Sequence, residues 1–259
     1  MTEVPTSDRT IAVTHEVEPD DQLLSELARN GIQPLLWPTV RTVATDSRPI
    51  RSALSRAHDV TWLIVTSRRA VDAVVACGAR PPGHLRIGTV GPRTTAAAEA
   101  TGWRVTLTSP GPGSDRLAAD LSEQLKGGER ILYFAGDLAS SSLQSRLTEA
   151  GAIVDRVTVY RTEGLRVDEE PWGSSLSRGN VAAVTFLSPS AARNLARSMD
   201  QLALGLKLRA TPAVAIGPET ARALDELGFE EVHQSVAPSK TSVASCALDL
   251  LEGSHATFT

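Results

Sequence analysis

Two stretches of the sequence decide the fold that we expect: TVGPRTTAAAEATGW at Thr89–Trp103 and AIGPETARALDELGF at Ala215–Phe229. Each starts as the end of an apolar strand and continues with Gly-Pro, one variable residue, threonine, an alanine-rich run, and then glycine with an aromatic residue. Proline directly after glycine suits the first turn of a helix, where its missing N–H group costs nothing. Both stretches are therefore predicted to turn from a strand into a helix.

These two turns also have the character of an anion site. Glycine lets the backbone bend sharply and approach a ligand. Thr94 and Thr220 fall in the first helical turn, beside unpaired N–H groups and the positive end of the helix dipole. Gly91, Thr94, Gly217 and Thr220 are therefore candidate contacts for a carboxylate or phosphate.

The two turns belong to an internal repeat that runs through most of the chain. Gly91 and Gly217 are 126 residues apart. Two further pairs recur in the same order at offsets of 121 and 120 residues: Thr61–Val74 with Ala182–Leu195, and Arg9–Pro38 with Arg130–Tyr160. The period is too long for a solenoid, so the 259-residue chain is predicted to be a duplicated α/β unit.

Strand and helix patterns alternate along the chain, which predicts parallel sheets flanked by helices. The run at Trp62–Thr66 is continuously apolar, as expected of a central strand with both faces covered. Other segments used below are a strand at Ile32–Trp37, a helix at Leu138–Ala150 and a polar connector at Glu163–Gly179.

The position of the domain boundary is open at this point. A plain duplication places one cut near Lys126–Gly128. If instead Leu35–Thr42 and Thr158–Glu163 both run extended between two lobes, the middle of the chain is an insertion.

Composition excludes several classes of protein. The chain is 41% hydrophobic and 22% charged, as in ordinary globular domains, and its net charge of −4 does not favour nucleic acid as a partner. No apolar run approaches the roughly 20 residues of a membrane span, and Met1–Thr10 lacks the apolar region of a signal peptide. We expect a cytoplasmic protein.

The cysteines and histidines do not predict a metal site. Cys77 and Cys246 stand alone, and the five histidines show no ligand spacing. His15 is notable because it directly follows the first predicted strand, Thr10–Thr14.

Hydroxyl side chains follow four predicted strands. They lie in Thr66-Ser67, in Ser188–Ser190 and in the two Gly-Pro turns. In doubly wound sheets, ligands bind at the carboxyl ends of strands, and hydroxyls, backbone N–H groups and arginine forks such as Arg69 suit a ligand with several carboxylates. One such turn alone would be interpreted as a helix cap, but four in two related pairs favour binding.

The two tyrosines differ in setting. Tyr133 lies within the apolar run ILYFA and is predicted to belong to the core. Tyr160 ends the strand VTVYRT beside the possible linker, where its phenol could face a cleft or simply pack between domains.

Six fragments together resemble the uroporphyrinogen-III synthase family over about Arg9–Leu251: WLIVTSRRAV, TVGPRTTAAA, ILYFAG, VTVYRT, VTFLSPSA and AIGPETARAL. The resemblance implies two α/β lobes with parallel sheets flanked by helices, joined by a two-strand linker, with a cleft between the lobes. It implies that residues 8–37 and 164–253 form lobe 1, residues 43–157 form an inserted lobe 2, and residues 38–42 and 158–163 are the linker strands.

The resemblance also implies an activity. Members of the family close linear hydroxymethylbilane into uroporphyrinogen III, inverting ring D and losing water, without a metal or an organic cofactor. Tyr160 is then expected to assist the departing hydroxyl. The implied carboxylate contacts are Thr66, Ser67, Arg69, Gly91, Thr94, Ser188, Ser190, Gly217 and Thr220. The expected partner is a small-molecule tetrapyrrole, with no nucleic acid or membrane, and the chain is expected to be a monomer.

The sequence departs from the family pattern in two places. Many members continue the first strand with Thr-Arg, where this chain has Thr14-His15. Many also carry an arginine shortly after the glycine that ends the sixth strand, where this chain has Ala139-Ser140. Because both changes remove a cation, a non-catalytic domain that senses a tetrapyrrole or another anion on the same fold is the alternative. A periplasmic-type solute receptor is a third possibility, which the lack of a signal peptide disfavours.

Overall fold

The computed structural model describes residues 9–110, 113–166 and 172–256. These residues divide into two compact units. Unit 1 contains the described residues up to Arg41 and from Glu163 onward, and unit 2 is Thr42–Thr162. The predicted connector at Glu163–Gly179 is described only in part, because residues 167–171 lie outside these ranges, as does the chain before Arg9.

Strands and helices alternate along the chain. The strands are β1 (Thr10–Val13), β2 (Leu35–Leu36), β3 (Val40–Ala44), β4 (Val60–Val65), β5 (Arg86–Val90), β6 (Val105–Ser109), β7 (Arg130–Gly136), β8 (Ile153–Gly164), β9 (Val181–Phe186), β10 (Ala213–Ala215) and β11 (Val232–Gln234). The helices are α1 (Gln22–Arg29), α2 (Arg48–Ser55), α3 (Arg68–Ala76), α4 (Gly91–Ala100), α5 (Asp115–Ser122), α6 (Ser142–Glu149), α7 (Trp172–Ser177), α8 (Pro189–Gln201), α9 (Gly205–Arg209), α10 (Pro218–Glu226) and α11 (Lys240–Ala256), with a short 3-10 helix at Ala57–Asp59.

Each unit is built on one sheet. In unit 1 the strand order is β11-β10-β9-β1-β2, and all these pairs are parallel. In unit 2 the order is β3-β8-β7-β4-β5-β6, and the five strands from β8 to β6 are parallel. The chain passes between the units within β3 and within β8, which are neighbours in the second sheet.

The two sheets correspond strand by strand. The order β11-β10-β9-β1-β2 matches β6-β5-β4-β7-β8, and the matched strands overlap the repeated sequence blocks, except β11 and β6, which follow the two Gly-Pro blocks. Of the six repeated blocks in chain order, the second, third and fourth lie in unit 2. Unit 1 contains the first block, near the start of the chain, and the last two. The predicted fold class, two α/β lobes with parallel sheets and a two-strand linker, is confirmed for the described residues.

Each sheet separates two apolar clusters, because successive strand residues point to opposite faces. In β1, Ala12 joins the cluster with Phe186 and Leu195, while Ile11 and Val13 join the other. β4 divides in the same way, since Trp62 and Ile64 pack in one cluster and Leu63 and Val65 in the other. Complete burial of one such side chain contributes about 1.5–3 kcal/mol, so the apolar faces account for helices on both sides of each sheet.

Capping residues set several helix ends. Oδ1 of Asp21 accepts hydrogen bonds from the N–H groups of Leu23 and Leu24, and α1 begins there. Gly31, with a φ of 72°, follows the end of α1 in the left-handed region that glycine tolerates.

Two predicted segments differ from the structure. The predicted strand Ile32–Trp37 is reduced to β2, because the N–H of Ile32 is held by the carbonyl of Leu27 at the end of α1. The predicted helix Leu138–Ala150 begins only at Ser142, because the N–H of Ala139 bonds back to the carbonyl of Gly136 and forms a turn. The short helix α9 was not predicted. Within the described ranges, no helix combines the length and apolarity needed to cross a membrane.

Candidate active site

Tyr160 lies at the carboxyl edge of the unit 2 sheet, beside the end of β4. It is half-buried, and Oγ of Ser67 donates a hydrogen bond of 3.2 Å to its phenol oxygen. In the register of β7 and β8, Tyr160 is opposite Gly136, next to a register shift. A Cβ atom placed on Gly136 would lie 2.5 Å from Cε2 and 2.8 Å from the phenol oxygen of Tyr160. The ring therefore occupies the space that a side chain at Gly136 would need.

Ser67 is the N-cap of α3. Its Oγ accepts a 3.2 Å hydrogen bond from the N–H of Ala70 while its O–H donates to Tyr160. Because a hydroxyl has a single proton to donate, Ser67 can donate to a substrate carboxylate only by giving up Tyr160. That predicted contact stays a prediction.

Thr66 lies beside the second tyrosine. Tyr133 is 2% exposed, in agreement with its predicted place in the core. Burial raises the pKa of the Tyr133 phenol, and a hydrogen bond with Thr66 opposes this shift only in part. The partner of the Thr66 side chain in the structure is the core residue Tyr133. A contact of Thr66 with a substrate carboxylate therefore also stays a prediction.

The first Gly-Pro turn places Thr94 in the first turn of α4. Gly91 has a φ of 74°, which only glycine adopts at little cost. Thr94 is 5% exposed. The adjacent Thr95 bonds instead to Thr89 and Thr108 through hydroxyl contacts of 2.6 and 2.9 Å. Thr95 therefore belongs to a polar cluster within unit 2.

The second Gly-Pro turn is similar in sequence but not in backbone. Gly217 has a φ of −176°, an extended conformation open to any residue, and a Cβ placed on it would meet nothing within 4 Å. Thr220 lies in the first turn of α10 and is 3% exposed. Across the described residues, neither the Thr94 nor the Thr220 hydroxyl has a hydrogen-bond partner. Both turns therefore hold a hydroxyl available to a ligand at a helix N-terminus.

Ser188 repeats the geometry of Ser67 in unit 1. It is the N-cap of α8, with φ and ψ of −161° and 152°, and accepts a 3.2 Å bond from the N–H of Ala191. Its hydroxyl also lies 3.0 Å from that of Ser190. Since the two hydroxyls bond to each other, one O–H of the pair remains for another acceptor.

Two arginine side chains bring positive charge to the candidate site residues of unit 2. Arg69 is exposed in the first turn of α3, and none of the described carboxylates pairs with it. Arg156, which the sequence reasoning missed, donates from Nη2 to the carbonyls of Gly136 (3.1 Å) and Ala139 (2.9 Å). The turn that lacks the expected arginine therefore receives a guanidinium from β8. Arg156 belongs to no local motif in the sequence. Its positive charge was therefore the only signal that could have suggested this contact with the turn.

His15 stands at the carboxyl end of β1 within a charged triad. Its Nε2 is 2.8 Å from Oδ2 of Asp21, and Nζ of Lys240 also bonds to this oxygen. Burial lowers the pKa of His15, and the hydrogen bond and charge of Asp21 oppose this shift only in part. His15 is therefore neutral near pH 7, and the charge of Lys240 is compensated by Asp21. The triad does not replace the missing cation.

The predicted site residues thus fall into two groups. Tyr160, Thr66, Ser67, Arg69, Gly91 and Thr94 belong to unit 2, and Ser188, Ser190, Gly217 and Thr220 belong to unit 1. Tyr160 lies within β8, opposite the end of β7, and the other residues of each group lie where strands end and helices begin. Ligands bind at such strand ends in parallel α/β sheets.

Comparisons with known proteins agree with this architecture. Residues 21–244 match the model of the family described as uroporphyrinogen-III synthase HemD. The chain is 25% identical over 93% of its length to the porphyrin biosynthesis protein HemD of Ruminiclostridium josui, but spans only 48% of that relative. It is 28% identical to a putative uroporphyrinogen-III synthase of Methanothermobacter thermautotrophicus, with 93% of this chain and 99% of the relative covered.

A solved structure has the same fold. A mutant uroporphyrinogen III synthase from Thermus thermophilus superposes with a TM-score of 0.63 at 20% identity, covering 94% of this chain and 99% of the other. The family match spans more than half of the sequence and confirms the resemblance carried by the six fragments. The chain belongs to the uroporphyrinogen-III synthase family.

Proposed function

We propose that this chain cyclises hydroxymethylbilane to uroporphyrinogen III, inverting ring D and releasing water, with Tyr160 as the group that assists the departing hydroxyl. Family membership supports the reaction. The observation that carries the role of Tyr160 is its hydrogen bond from Ser67. Because Ser67 donates to the phenol oxygen, the phenol proton is left to point elsewhere.

The phenol can therefore donate to the substrate. Among the described residues, no acceptor bonds to the Tyr160 O–H. A positioned proton donor of this kind contributes about 10²–10⁴-fold to a rate. Loss of the hydroxyl is also helped by the pyrrole nitrogens of the substrate, so a strong acid is not needed. The remaining task of the protein is to position the rings.

We assign substrate carboxylates to the helix N-termini of both units. The linear substrate carries eight carboxylates, and the Thr94 and Thr220 hydroxyls have no partner within the described ranges. A hydrogen bond from such a donor to a carboxylate is worth about 1.5–3 kcal/mol. Arg69 and Arg156 add positive charge in unit 2, which offsets in part the two cations missing from the family pattern.

The setting of the reaction completes the proposal. We propose that the enzyme works in the cytoplasm as a monomer, with a small-molecule tetrapyrrole as its partner and without nucleic acid, membrane, metal or organic cofactor. None of the comparisons supports the sensing alternative. A sensing domain would bind tetrapyrrole without changing the isomer formed.

Tyr160→Phe tests the catalytic assignment. We expect the rate of uroporphyrinogen III formation at saturating substrate to fall about 10²-fold or more, with little change in affinity for uroporphyrinogen III. The matched control is Tyr133→Phe, which removes the phenol of the core tyrosine and should keep the rate within about threefold. If Tyr160→Phe turns over as fast as the wild type, Tyr160 is a packing residue and the assignment is wrong.

A further inference from the structure

We propose that Gly136 is a positioning residue for Tyr160: the missing side chain at the end of β7 fixes where the phenol stands. This inference rests on the proposed function, because it assigns a role to Gly136 through Tyr160. Gly136 is not among the predicted site residues, although the fragment that it ends contributes to the family resemblance. In sequence it is simply the glycine that ends ILYFAG.

Position 136 requires glycine because a larger residue would clash with its surroundings, and not because of its backbone conformation. Gly136 is buried and is not among the described glycines with positive φ, so other residues could adopt its backbone. The three heavy atoms nearest to an added Cβ all belong to Tyr160: Cε2 at 2.5 Å, Cζ at 2.6 Å and the phenol oxygen at 2.8 Å. These atoms form the end of the ring that the proposal places at the reacting hydroxyl.

The backbone around Gly136 is held on several sides. Its carbonyl accepts a hydrogen bond from Arg156 at 3.1 Å. The N–H of Asp137 donates to the carbonyl of Tyr160 at 3.2 Å, and Oδ1 of Asp137 accepts from the N–H of Thr162 at 3.0 Å. A methyl group at position 136 would therefore be accommodated by movement of the ring and not of the strand.

The movement would be large enough to matter for catalysis. Ordinary contacts of a Cβ atom begin at 3.4 Å, so the ring end at 2.5 Å would have to withdraw by close to 1 Å. A misplacement of about 1 Å can cost about 10²-fold in rate. It would also strain the 3.2 Å bond from Ser67, whose direction is set by its own bond to the N–H of Ala70.

Gly136→Ala is the direct test, with Gly88→Ala as the matched control. Gly88 lies in β5 of the same sheet, and a Cβ there would make ordinary contacts of 3.7–3.9 Å. We expect Gly136→Ala to lower kcat roughly 10- to 100-fold, with KM and the melting temperature close to those of the wild type. Gly88→Ala should change neither kcat nor KM.

Two further measurements separate positioning from general damage. The chain has two tyrosines, so ring-labelled tyrosine gives two sets of NMR signals, and Gly136→Ala should move those of Tyr160 and leave those of Tyr133. In a Tyr160→Phe background, Gly136→Ala should cause no further loss of kcat, because no phenol remains to be misplaced.

The outcomes are distinguishable. Unchanged Tyr160 signals, or an equal loss of kcat with and without the phenol, overturns the positioning role while leaving Tyr160→Phe as the test of the proposed function. A fully active Tyr160→Phe enzyme overturns the catalytic assignment of Tyr160, and the positioning role with it, whereas a wild-type protein that forms only the type I isomer overturns the proposed reaction. If Gly136→Ala proves unstable, we expect Tyr160→Ala to relieve the instability by removing the ring, and a failure of this relief contradicts the proposal.

Discussion

Asp21 has several partners in unit 1. One carboxylate oxygen caps α1, and the other accepts from His15 and bonds to Lys240. Burial alone would raise the pKa of Asp21, but the hydrogen bonds from Lys240 and His15 outweigh it, so the pKa lies below its usual value. The pKa of His15 is also lowered, chiefly by burial, with Lys240 and the acidic Asp21 and Glu18 as the charged groups that act on it.

These shifts predict how stability depends on pH. As the pH falls through about 6.5, the unfolded chain binds a proton at His15 that the folded protein does not bind, so the free energy of unfolding decreases. The contribution of Asp21 to the free energy of unfolding is complete above about pH 3.9. It is lost only as the pH falls through the pKa of Asp21 in the folded protein, which is lower. Between pH 8 and pH 5.5, His15 is therefore the member of the triad whose titration changes the free energy of unfolding.

His15→Gln measures this effect, since glutamine keeps an N–H donor for Asp21 but does not titrate. We expect the melting temperature of the wild type to fall a few degrees more than that of the variant between pH 8 and pH 5.5. Other titrating groups are common to both proteins and cancel in the comparison. Equal decreases would show that His15 titrates as freely in the folded protein as in the unfolded chain.

At the scale of elements, the two Gly-Pro turns are the repeated feature to which we assign substrate carboxylates. Thr94 and Thr220 are buried to similar extents at the N-termini of α4 and α10, with hydroxyls unpartnered among the described residues. Valine has nearly the same shape as threonine and lacks the hydroxyl. The backbone N–H groups remain in place in such a variant.

Thr94→Val and Thr220→Val should each weaken the binding of uroporphyrinogen III about tenfold, equivalent to about 1.4 kcal/mol. Their melting temperatures should stay near that of the wild type, because no hydrogen bond within the described protein is lost. Titration calorimetry with each variant checks the affinity. An unaltered affinity together with a sharp drop in melting temperature would show that these threonines serve the fold and not the ligand.

Sequence reasoning was accurate where structure follows from local patterns. The central strand β4, the passage from strand to helix at the Gly-Pro turns and the duplicated α/β unit follow from apolar periodicity, turn residues and repeated blocks. It failed at the start of α6, which follows a backbone turn whose carbonyls also accept hydrogen bonds from Arg156 on the next strand. It also failed to distinguish the two Gly-Pro turns, which differ in φ although their motifs match.

The candidate site shows the same division. Ser67, Tyr160 and the paired threonines became candidates because the sequence places them near predicted strand ends. The role of Gly136 was not, because it depends on a ring 24 positions further along the chain. The contacts of Asn194 were also missed, because its Nδ2 donates to carbonyls far away in sequence, that of Thr39 (2.6 Å) just before β3 and that of Leu165 (2.9 Å) just after β8.

At the scale of the whole molecule, the central claim is that this chain directs ring closure. Hydroxymethylbilane closes spontaneously without inversion of ring D, which yields the type I isomer. A protein that only binds tetrapyrroles would leave that outcome unchanged. The isomer formed therefore distinguishes the enzyme from the sensing alternative without reference to any single residue.

The most direct measurement is to add freshly made hydroxymethylbilane to the purified protein, oxidise the products and separate the type I and type III isomers. We predict that type III predominates, that its share grows with protein concentration, and that heat-denatured protein gives type I. A product that is type I at every protein concentration would contradict the account.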